Sequence, residues 1–390
     1  ITKLLMLAVV ALGVSFTACN NDLPEGPKSP DEKDYNTHMS VSLKLDANSG
    51  SARSTSENDN DEDYNYVGEW AGADAIDNIV IYLVDDAVQR EEFSSADYDI
   101  ENDVYLKPKA SAAFKTVAGV KTVYVVINEN TLVNAELTGA SATGFPAAYA
   151  GILELENSGT DATVATSASK LAEVNNNNED VIVMTTVKPH TIDIKANITK
   201  DETINANRGD VALNRASVDV ERATSRVFVT ANDALLTTAE VTDRVTSEVI
   251  GTLTNITWTV AQGENKIYIQ RQDSPVKWAT PSYGWVPSAS DNDFNTEAGD
   301  LYDYSGLFLT DGTSETHNGV EVLGKTTVGD ADDAATIGRQ SVAKGIFILP
   351  NTHKIAAAPT GDDAYAGGYN KGNTAYVLIR ASFTPTEVID

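Results

Sequence analysis

A period-two alternation of apolar and polar residues is the feature that most limits how this chain can fold. Met39, Val41, Leu43 and Leu45 alternate with polar side chains, which predicts a β-strand with one buried face. Ala-rich stretches at 147–156 and 162–174 are predicted to be helices or loops between strands. Further strand signals recur at spacings typical of β-sandwiches, at 78–84, 121–128, 179–187, 191–196, 217–230, 248–260, 266–270, 345–349 and 374–383.

The N-terminus has the form of a lipoprotein export signal. Lys3 precedes an apolar run, 4–16, which ends at Thr17-Ala18-Cys19, and Cys19 is the only cysteine. As a helix the run spans only ~20 Å, which is short of a ~30 Å hydrocarbon core, so it indicates a signal peptide rather than a membrane anchor. We therefore predict a signal peptide at 1–18 and an acylated Cys19, with a buried structural cysteine as the alternative.

Composition excludes several classes of function. The net charge of −29 and the pI near 4.3 argue against binding to nucleic acid or to anionic lipid, because both need a basic surface. One cysteine cannot form an intramolecular disulfide. The roughly 370 residues that follow the signal are enough for two domains, and their boundary is predicted near 214–217.

Polar segments surround the first predicted strand. Residues 19–38 contain Pro24, Pro27 and Pro30, which is typical of a disordered tether. Residues 47–63 are rich in Ser, Asn and acidic side chains and include Arg53, so they predict an exposed loop that a protease could reach. Residues 274–318 show little periodicity and predict a long excursion from the second domain.

Motifs for catalysis and for cofactors are absent from the sequence. The four histidines lie far apart without metal-ligand spacing, at His38, His190, His317 and His353, and no nucleophile elbow, phosphate-binding loop or zinc-protease helix occurs. We predict no cofactor, no metal and no enzymatic activity. A hydrolase built on a carboxylate pair remains an alternative, because 57 acidic residues hide any such pair.

Two other patterns leave alternatives open. Acidic side chains alternate at Asp59, Asp61 and Asp63 and again at Asp291, Asp293 and Asn295, but both loops lack the glycine and glutamate of a calcium-binding EF-hand, which favours solvated loops. Aromatic side chains cluster in two places and favour a plug or a subunit interface over a sugar-stacking face: Tyr64, Tyr66 and Trp70, then Trp278, Tyr283, Trp285, Tyr302 and Tyr304.

Four long strings resemble one protein family. They are YNYVGEWAG at 64–72, WTVAQGE at 258–264, LPNTHK at 349–354 and KGNTAYVL at 371–378. In this order they resemble the FimA-like and Mfa-like fimbrillin superfamily of Bacteroidales, in particular the major shaft subunits of short fimbriae. The resemblance covers nearly all of 39–385 and implies two transthyretin-like Greek-key β-sandwich domains in tandem, at 54–215 and 216–390.

The resemblance also implies a route of maturation. An arginine-specific surface protease would cut between Arg53 and Ser54 and release the segment 39–53. Loss of Met39, Val41, Leu43 and Leu45 would open a groove in the N-terminal domain, which the strand of a neighbouring subunit fills. The implied partners are other fimbrial subunits, including anchor and tip proteins, and a host protein or glycan, and the implied location is the outer membrane and then surface fimbriae that support adhesion and biofilm formation.

One departure from the family concerns the C-terminus. Related subunits continue well beyond the position of Asp390 and supply the donor strand there, so we expect this chain to be truncated and its second sandwich to be incomplete. A tip or accessory adhesin of the same assembly is the main alternative to a shaft subunit. A glycan-binding surface lipoprotein that never polymerises, with an uncut Arg53, is another.

Overall fold

The computed structural model describes residues 36–45, 75–101, 105–155, 167–177, 179–205, 212–227, 230–231, 240–261, 263–276, 278–285, 301–303, 315–317, 320–322, 326–327, 329–330, 346–352 and 374–387. All of them fall in the second of the two units into which the chain divides, Tyr35–Asp390. Among these residues, no helix combines the length and the apolar character needed to cross a bilayer.

Strands dominate the described structure. Up to residue 222 the described strands are β1 (Thr37–Leu45), β2 (Ile79–Val84), β3 (Val88–Phe93), β4 (Tyr98–Glu101), β5 (Tyr105–Pro108), β6 (Phe114–Thr116), β7 (Gly119–Ile127), β8 (Ile152–Glu154), β9 (Ala172–Val174), β10 (Asp180–Ile182), β11 (Met184–Thr186), β12 (His190–Ile194) and β13 (Arg215–Arg222). Beyond it they are β14 (Ser225–Val227), β15 (Thr230–Ala231), β16 (Glu240–Thr242), β17 (Val249–Ala261), β18 (Gly263–Glu264), β19 (Lys266–Tyr268), β20 (Tyr302–Asp303), β21 (Glu315–His317), β22 (Val320–Val322), β23 (Thr326–Thr327), β24 (Gly329–Asp330), β25 (Ile346–Ile348) and β26 (Tyr376–Pro385).

The described helices are short. They are α1 (Thr131–Leu137), α2 (Phe145–Tyr149) and α3 (Lys200–Ile204), with 3₁₀ turns at Ser95–Asp97, Ala110–Ala112 and Ser167–Lys170. Side chains define where two of them begin. The Asn130 carboxamide accepts bonds from the first-turn amides of α1, and Thr199 and Glu202 form a reciprocal capping box at α3.

Ten strands form one large sheet. Its order is β3-β2-β7-β11-β13-β1-β5-β4, with β12 also paired to β7 and β6 also paired to β1. β1 and β13 run parallel, and the other pairs in this sheet are antiparallel. β1 therefore lies inside the sheet, with a neighbouring strand on each side.

The sheet has a separate apolar core on each face. Alternate residues of β2 point to opposite sides: Ile79, Ile81 and Leu83 enter one core, which also contains the apolar side chains of β1, β7 and β13. Val80 and Tyr82 enter the other core, which α1 and α2 cover. Because both faces of β2 are covered, all six of its residues are buried and the strand is a continuous apolar run in the sequence.

The sheet curls until its two ends meet. β3 and β4 lie at opposite ends of the strand order, yet the ring of Phe93 in β3 lies 6.4 Å from that of Tyr98 in β4 and 5.8 Å from that of Phe114 in β6. The first core is therefore enclosed by strands from both ends of the sheet.

Smaller sheets make up the rest of the described structure. β17 pairs with β16, β23 and β26, and the β17–β26 ladder extends from Gly251 opposite Pro385 to Ala261 opposite Tyr376. The ring of Phe383 lies where a Cβ at residue 251 would be, so Gly251 permits this close approach. β8 pairs with β19 and β14 pairs with β25, which ties the segments that follow β13 to the second core.

The all-β fold is confirmed, and each predicted strand segment contains an observed strand. The helices or loops predicted at 147–156 and 162–174 are partly wrong. Ile152–Glu154 pairs with β19 more than 100 residues later, and nothing local signals that pairing. Ala172–Val174 is a strand that pairs with β10. The first strand begins at Thr37, inside the predicted tether 19–38. β13, predicted to open the second domain, lies in the ten-stranded sheet beside β1. The limits of the two sandwiches and the incompleteness of the second stay predictions.

Candidate functional site

The candidate site is the position that β1 occupies in the large sheet, which we call the β1 groove. One wall is β13, which pairs with β1 from Ser40 opposite Arg215 to Leu45 opposite Val220. The other wall is β6 near the N-terminal end of β1 and β5 near its C-terminal end. An extended segment in this groove pairs with β13 over residues 40–45 on one side, and with β6 over residues 37–39 and β5 over residues 43–44 on the other. This is the geometry of strand addition.

Four apolar side chains fill the floor of the groove. Met39, Val41 and Leu43 are 0% exposed and Leu45 is 2% exposed, and all four belong to the first core. At roughly 1.5–3 kcal/mol for each buried side chain, they contribute on the order of 6–12 kcal/mol before the cost of ordering the strand. These are the four residues that the sequence predicted for the buried face of the first strand.

A polar cluster closes the N-terminal end of the groove around Asn214. This residue adopts a left-handed conformation, φ 48°, which asparagine tolerates better than most side chains. Its amide nitrogen donates to the Thr37 hydroxyl at 3.1 Å, to the His38 carbonyl at 3.0 Å and to the Lys195 carbonyl at 2.8 Å, and its amide oxygen accepts from the Lys195 N–H at 2.8 Å. One side chain thus connects β1 to the end of β12.

The Thr37 hydroxyl is buried within this cluster. It donates to the Lys195 carbonyl at 2.6 Å and accepts from the Ile198 N–H at 3.0 Å. The Ile198 carbonyl in turn accepts from the His38 N–H at 2.9 Å. A threonine at the start of β1 is therefore fully bonded although it is 0% exposed.

On the opposite face of β1, α3 packs over Ser40 and buries it completely. The Ser40 hydroxyl donates to the Thr203 carbonyl at 2.9 Å and accepts from Nε of Arg215 at 3.3 Å. Arg215 also donates to the carbonyls of Thr203 and Ile204, and burial lowers the pKa of its guanidinium. Further along this face Ser42 and Lys44 are only half-buried, and the Lys44 ammonium lies 5.7 Å from the centre of the Tyr105 ring.

Several predicted site residues lie outside the described residues. They are Cys19, the cleavage pair Arg53 and Ser54, both acidic alternations, the aromatic cluster 64–70 and Tyr304. Within the described ranges no three His, Cys, Asp or Glu side chains gather as a metal site would need. His38 lies in β1 with Nδ1 3.3 Å from the Ile198 carbonyl, and His190 begins β12.

In the described part of the second aromatic cluster, Tyr302 is buried and Trp278, Tyr283 and Trp285 are half-buried. The rings of Trp285 and Tyr302 meet edge to face at 5.7 Å, and Tyr302 is 2% exposed. Trp278 stacks on the guanidinium of Arg271 at 4.9 Å. This packing fits the predicted plug better than a sugar-stacking face.

A buried carboxyl lies next to these aromatic side chains. Glu264 is 1% exposed and accepts bonds from the hydroxyls of Ser282 and Thr280 and from the Asn351 amide. Burial raises its pKa to about 8, although the two hydroxyl bonds oppose the shift. The strings 258–264 and 349–354, which carry the family resemblance, thus meet at one carboxyl.

The raised pKa predicts a stability that falls with rising pH. The carboxyl titrates near 4.5 when unperturbed and near 8 when folded, so its contribution is fully present below pH 4.5 and is lost as the pH rises towards 8. At about 1.4 kcal/mol per pKa unit the loss is on the order of 3–5 kcal/mol. Glu264→Gln keeps one side-chain oxygen as a hydrogen-bond acceptor but removes the titrating group. It should therefore flatten the dependence of Tm on pH between 5 and 8. Identical pH profiles for both proteins would contradict this prediction.

The sequence analysis missed the residues that bind the polar side chains of β1. Asn214, Arg215 and Thr203 are ordinary polar residues until the fold brings them to β1 from more than 160 positions away. A local signal for α3 was present: Thr199 followed three residues later by Glu202 is a capping box. No local signal in the sequence indicated that α3 packs against β1.

Comparison with known proteins connects this structure to fimbriae. No protein-family model matches the chain. Two sequences of the minor fimbrium subunit Mfa1 from Porphyromonas gingivalis are 25% and 26% identical to it, over 98% of this chain and 67% of each relative. The chain is homologous to Mfa1.

Solved structures that are similar to parts of this chain include a putative cell adhesion protein and a fimbrilin. A putative cell adhesion protein from Parabacteroides distasonis has a TM-score of 0.40 at 12% identity, covering 91% of this chain and 81% of that one. The fimbrilin FimA of Porphyromonas gingivalis has a TM-score of 0.39 at 12% identity, covering 89% and 81%. The alignment with Mfa1 includes the β1 groove, because it covers nearly the whole chain.

Proposed function

We propose that this chain is a structural subunit of a cell-surface fimbria and that β1 holds the place of a strand from the next subunit. The observation that carries the proposal is the position of β1: it is an interior strand of the sheet, and four of its apolar side chains are 0–2% exposed. Homology to Mfa1, a minor fimbrium subunit, supports the same function.

Removal of β1 would leave an acceptor for one strand only. β13 would offer an edge for parallel pairing and β5 and β6 would offer edges for antiparallel pairing, while the floor would expose an apolar trough. Unpaired edges and exposed apolar surface both favour strand addition. Because the groove and the incoming strand are different surfaces, repeated head-to-tail contacts would build a fibre rather than a closed ring.

Proteolysis is the switch in this proposal. While β1 is covalently attached, its effective concentration at the groove is on the order of millimolar, so it excludes a strand from another subunit. A cut between Arg53 and Ser54 would convert β1 into a separate segment that can leave. Export as a lipoprotein acylated at Cys19 would bring the precursor to the outer membrane, where an arginine-specific surface protease could act.

The N-terminus of the protein recovered from the cell surface tests this proposal. Expressed from its complete native gene, the protein should begin at Ser54 and form polymers. Arg53→Lys keeps the charge but removes the arginine, so it should yield monomers that retain β1. Thr55→Ala, two residues away, is the matched control and should be processed normally. Surface polymers whose N-terminus is acylated Cys19 would contradict the mechanism. Monomers with that N-terminus would favour a surface lipoprotein that does not polymerise.

A further inference from the structure

We propose that the β1 groove selects an incoming strand by its hydroxyl groups as well as by its apolar side chains. The strand that fits carries a hydroxyl at the position of Thr37 and a small hydroxyl residue at the position of Ser40, followed by apolar residues at the positions of Val41, Leu43 and Leu45. This proposal rests on the proposed function, because it names the partner that the opened groove accepts.

At the Thr37 position, the side chain of the incoming strand must accept a hydrogen bond from the groove. The groups that bond to Thr37 belong to the groove, not to β1: the Ile198 N–H, the Lys195 carbonyl and the Asn214 amide. Without a hydroxyl there, Lys195 and Asn214 keep each other as partners, whereas the Ile198 N–H loses the acceptor that it has here. A partly buried donor that faces an apolar group instead of an acceptor is costly, so an apolar residue at this position is disfavoured.

The Ser40 position limits size. Ser40 is 0% exposed beneath α3, with its oxygen 2.9 Å from the Thr203 carbonyl and 3.3 Å from Nε of Arg215. A longer side chain would have to displace α3 or break the bonds of Arg215 to the carbonyls of Thr203 and Ile204. A small residue fits, and a hydroxyl keeps both contacts.

These two positions also fix the register of the incoming strand. Apolar side chains at every second position fit the floor nearly as well after a slip of two residues, because the alternation repeats. A slip of two in one direction would place an apolar side chain against the Ile198 N–H. A slip of two in the other direction would place a hydroxyl in the apolar site of Met39. The polar end therefore separates the correct register from its nearest competitor.

Peptide binding to the matured protein tests the proposal. The chain produced from its complete gene and cut after Arg53 is titrated with a fluorescent peptide of residues 36–45. The Thr37→Val peptide, which is isosteric, should bind roughly 5- to 100-fold more weakly, and Thr37→Ser should bind within about threefold of the parent. The Ser40→Leu peptide should lose roughly 5- to 100-fold.

The matched control is Ser42→Leu. Ser42 lies on the same face as Ser40 but is only half-buried, so this peptide should bind within about threefold of the parent. If the parent binds and the Thr37→Val and Ser40→Leu peptides bind equally well, the hydroxyl selection is wrong while the groove stands. If no peptide binds, the proposed function itself fails.

The same substitutions in the uncut chain give a second measurement that does not depend on exchange. Thr37→Val should lower the Tm of the precursor more than Thr37→Ser does, and Ser40→Leu should lower it more than Ser42→Leu does. Equal Tm values within each pair would overturn the proposal, because Thr37 and Ser40 have the same hydrogen-bond partners in both experiments.

Discussion

The Leu43→Asp precursor is expected to lose β1 from the sheet without proteolysis. Leu43 is 0% exposed in the middle of the first core, so a carboxylate there would be buried among apolar side chains without a cationic partner. A buried unpaired charge costs at least about 4 kcal/mol, which is a large part of the 6–12 kcal/mol gained from the apolar side chains of β1. The strand can avoid this cost by leaving the groove.

Two measurements detect the loss of β1. The variant should bind a dye for exposed apolar surface, and it should bind the peptide of residues 36–45 in trans with a gain in Tm. Lys44→Asp is the matched control, because Lys44 is the next residue along, half-buried on the opposite face. It should change stability by less than about 1 kcal/mol. A Leu43→Asp protein that binds neither dye nor peptide and melts with the parent would show that β1 is not held by this core.

Replacing Phe145 by alanine should destabilise the same sheet from its other side. Phe145 is 0% exposed and its ring lies 4.9 Å from that of Tyr82, 5.2 Å from Tyr124 and 6.1 Å from Tyr149. The neighbouring rings belong to the paired strands β2 and β7 and to the short helix α2. We expect these elements not to move far enough to fill the cavity that the substitution leaves. We expect a loss of about 3–5 kcal/mol in the free energy of unfolding, measured by denaturant titration of the precursor.

The expected effect of Phe145→Ala on the groove differs from that of Leu43→Asp. Phe145 belongs to the second core, on the face of β2 and β7 away from β1, so the matured variant should bind the β1 peptide with unchanged affinity wherever it is folded. Leu132→Ala, at an exposed position of α1, is the control and should cost less than about 0.5 kcal/mol. A Phe145→Ala protein with parental stability but weakened peptide binding would contradict the separation of the two cores.

The strand pattern was predictable wherever a strand shows its burial in its own sequence. The alternation from Met39 to Leu45 predicted a buried face, and all four of its apolar residues are 0–2% exposed. β2 was predictable as a short apolar run. By contrast, the Ala-rich stretch that contains β8 was predicted to be helix or loop, and in the described part of the chain β8 pairs with the distant strand β19. A three-residue strand has too few side chains to carry a period of two.

The polar end of the groove could not be predicted for a related reason. The hydroxyls of Thr37 and Ser40 indicate exposed strand positions when only their neighbours in sequence are considered, and Thr37 was assigned to the tether. Their bonds to Lys195, Ile198 and Thr203 arise because the end of β12 and α3 return to β1. Buried polar groups depend on partners that are distant in the chain, and such partners leave no periodic signal.

The sequence by itself determined that this chain forms strands and which face of its first strand is apolar, because local alternation and side-chain volume decide both. It also carried the likeness to fimbrial subunits in four strings. Only the tertiary structure decided that β1 lies between β13 on one side and β5 and β6 on the other, and that Asn214 and α3 enclose its polar side chains. Strand pairing and polar burial join residues up to 177 positions apart, so the packed chain settles them and no local pattern can.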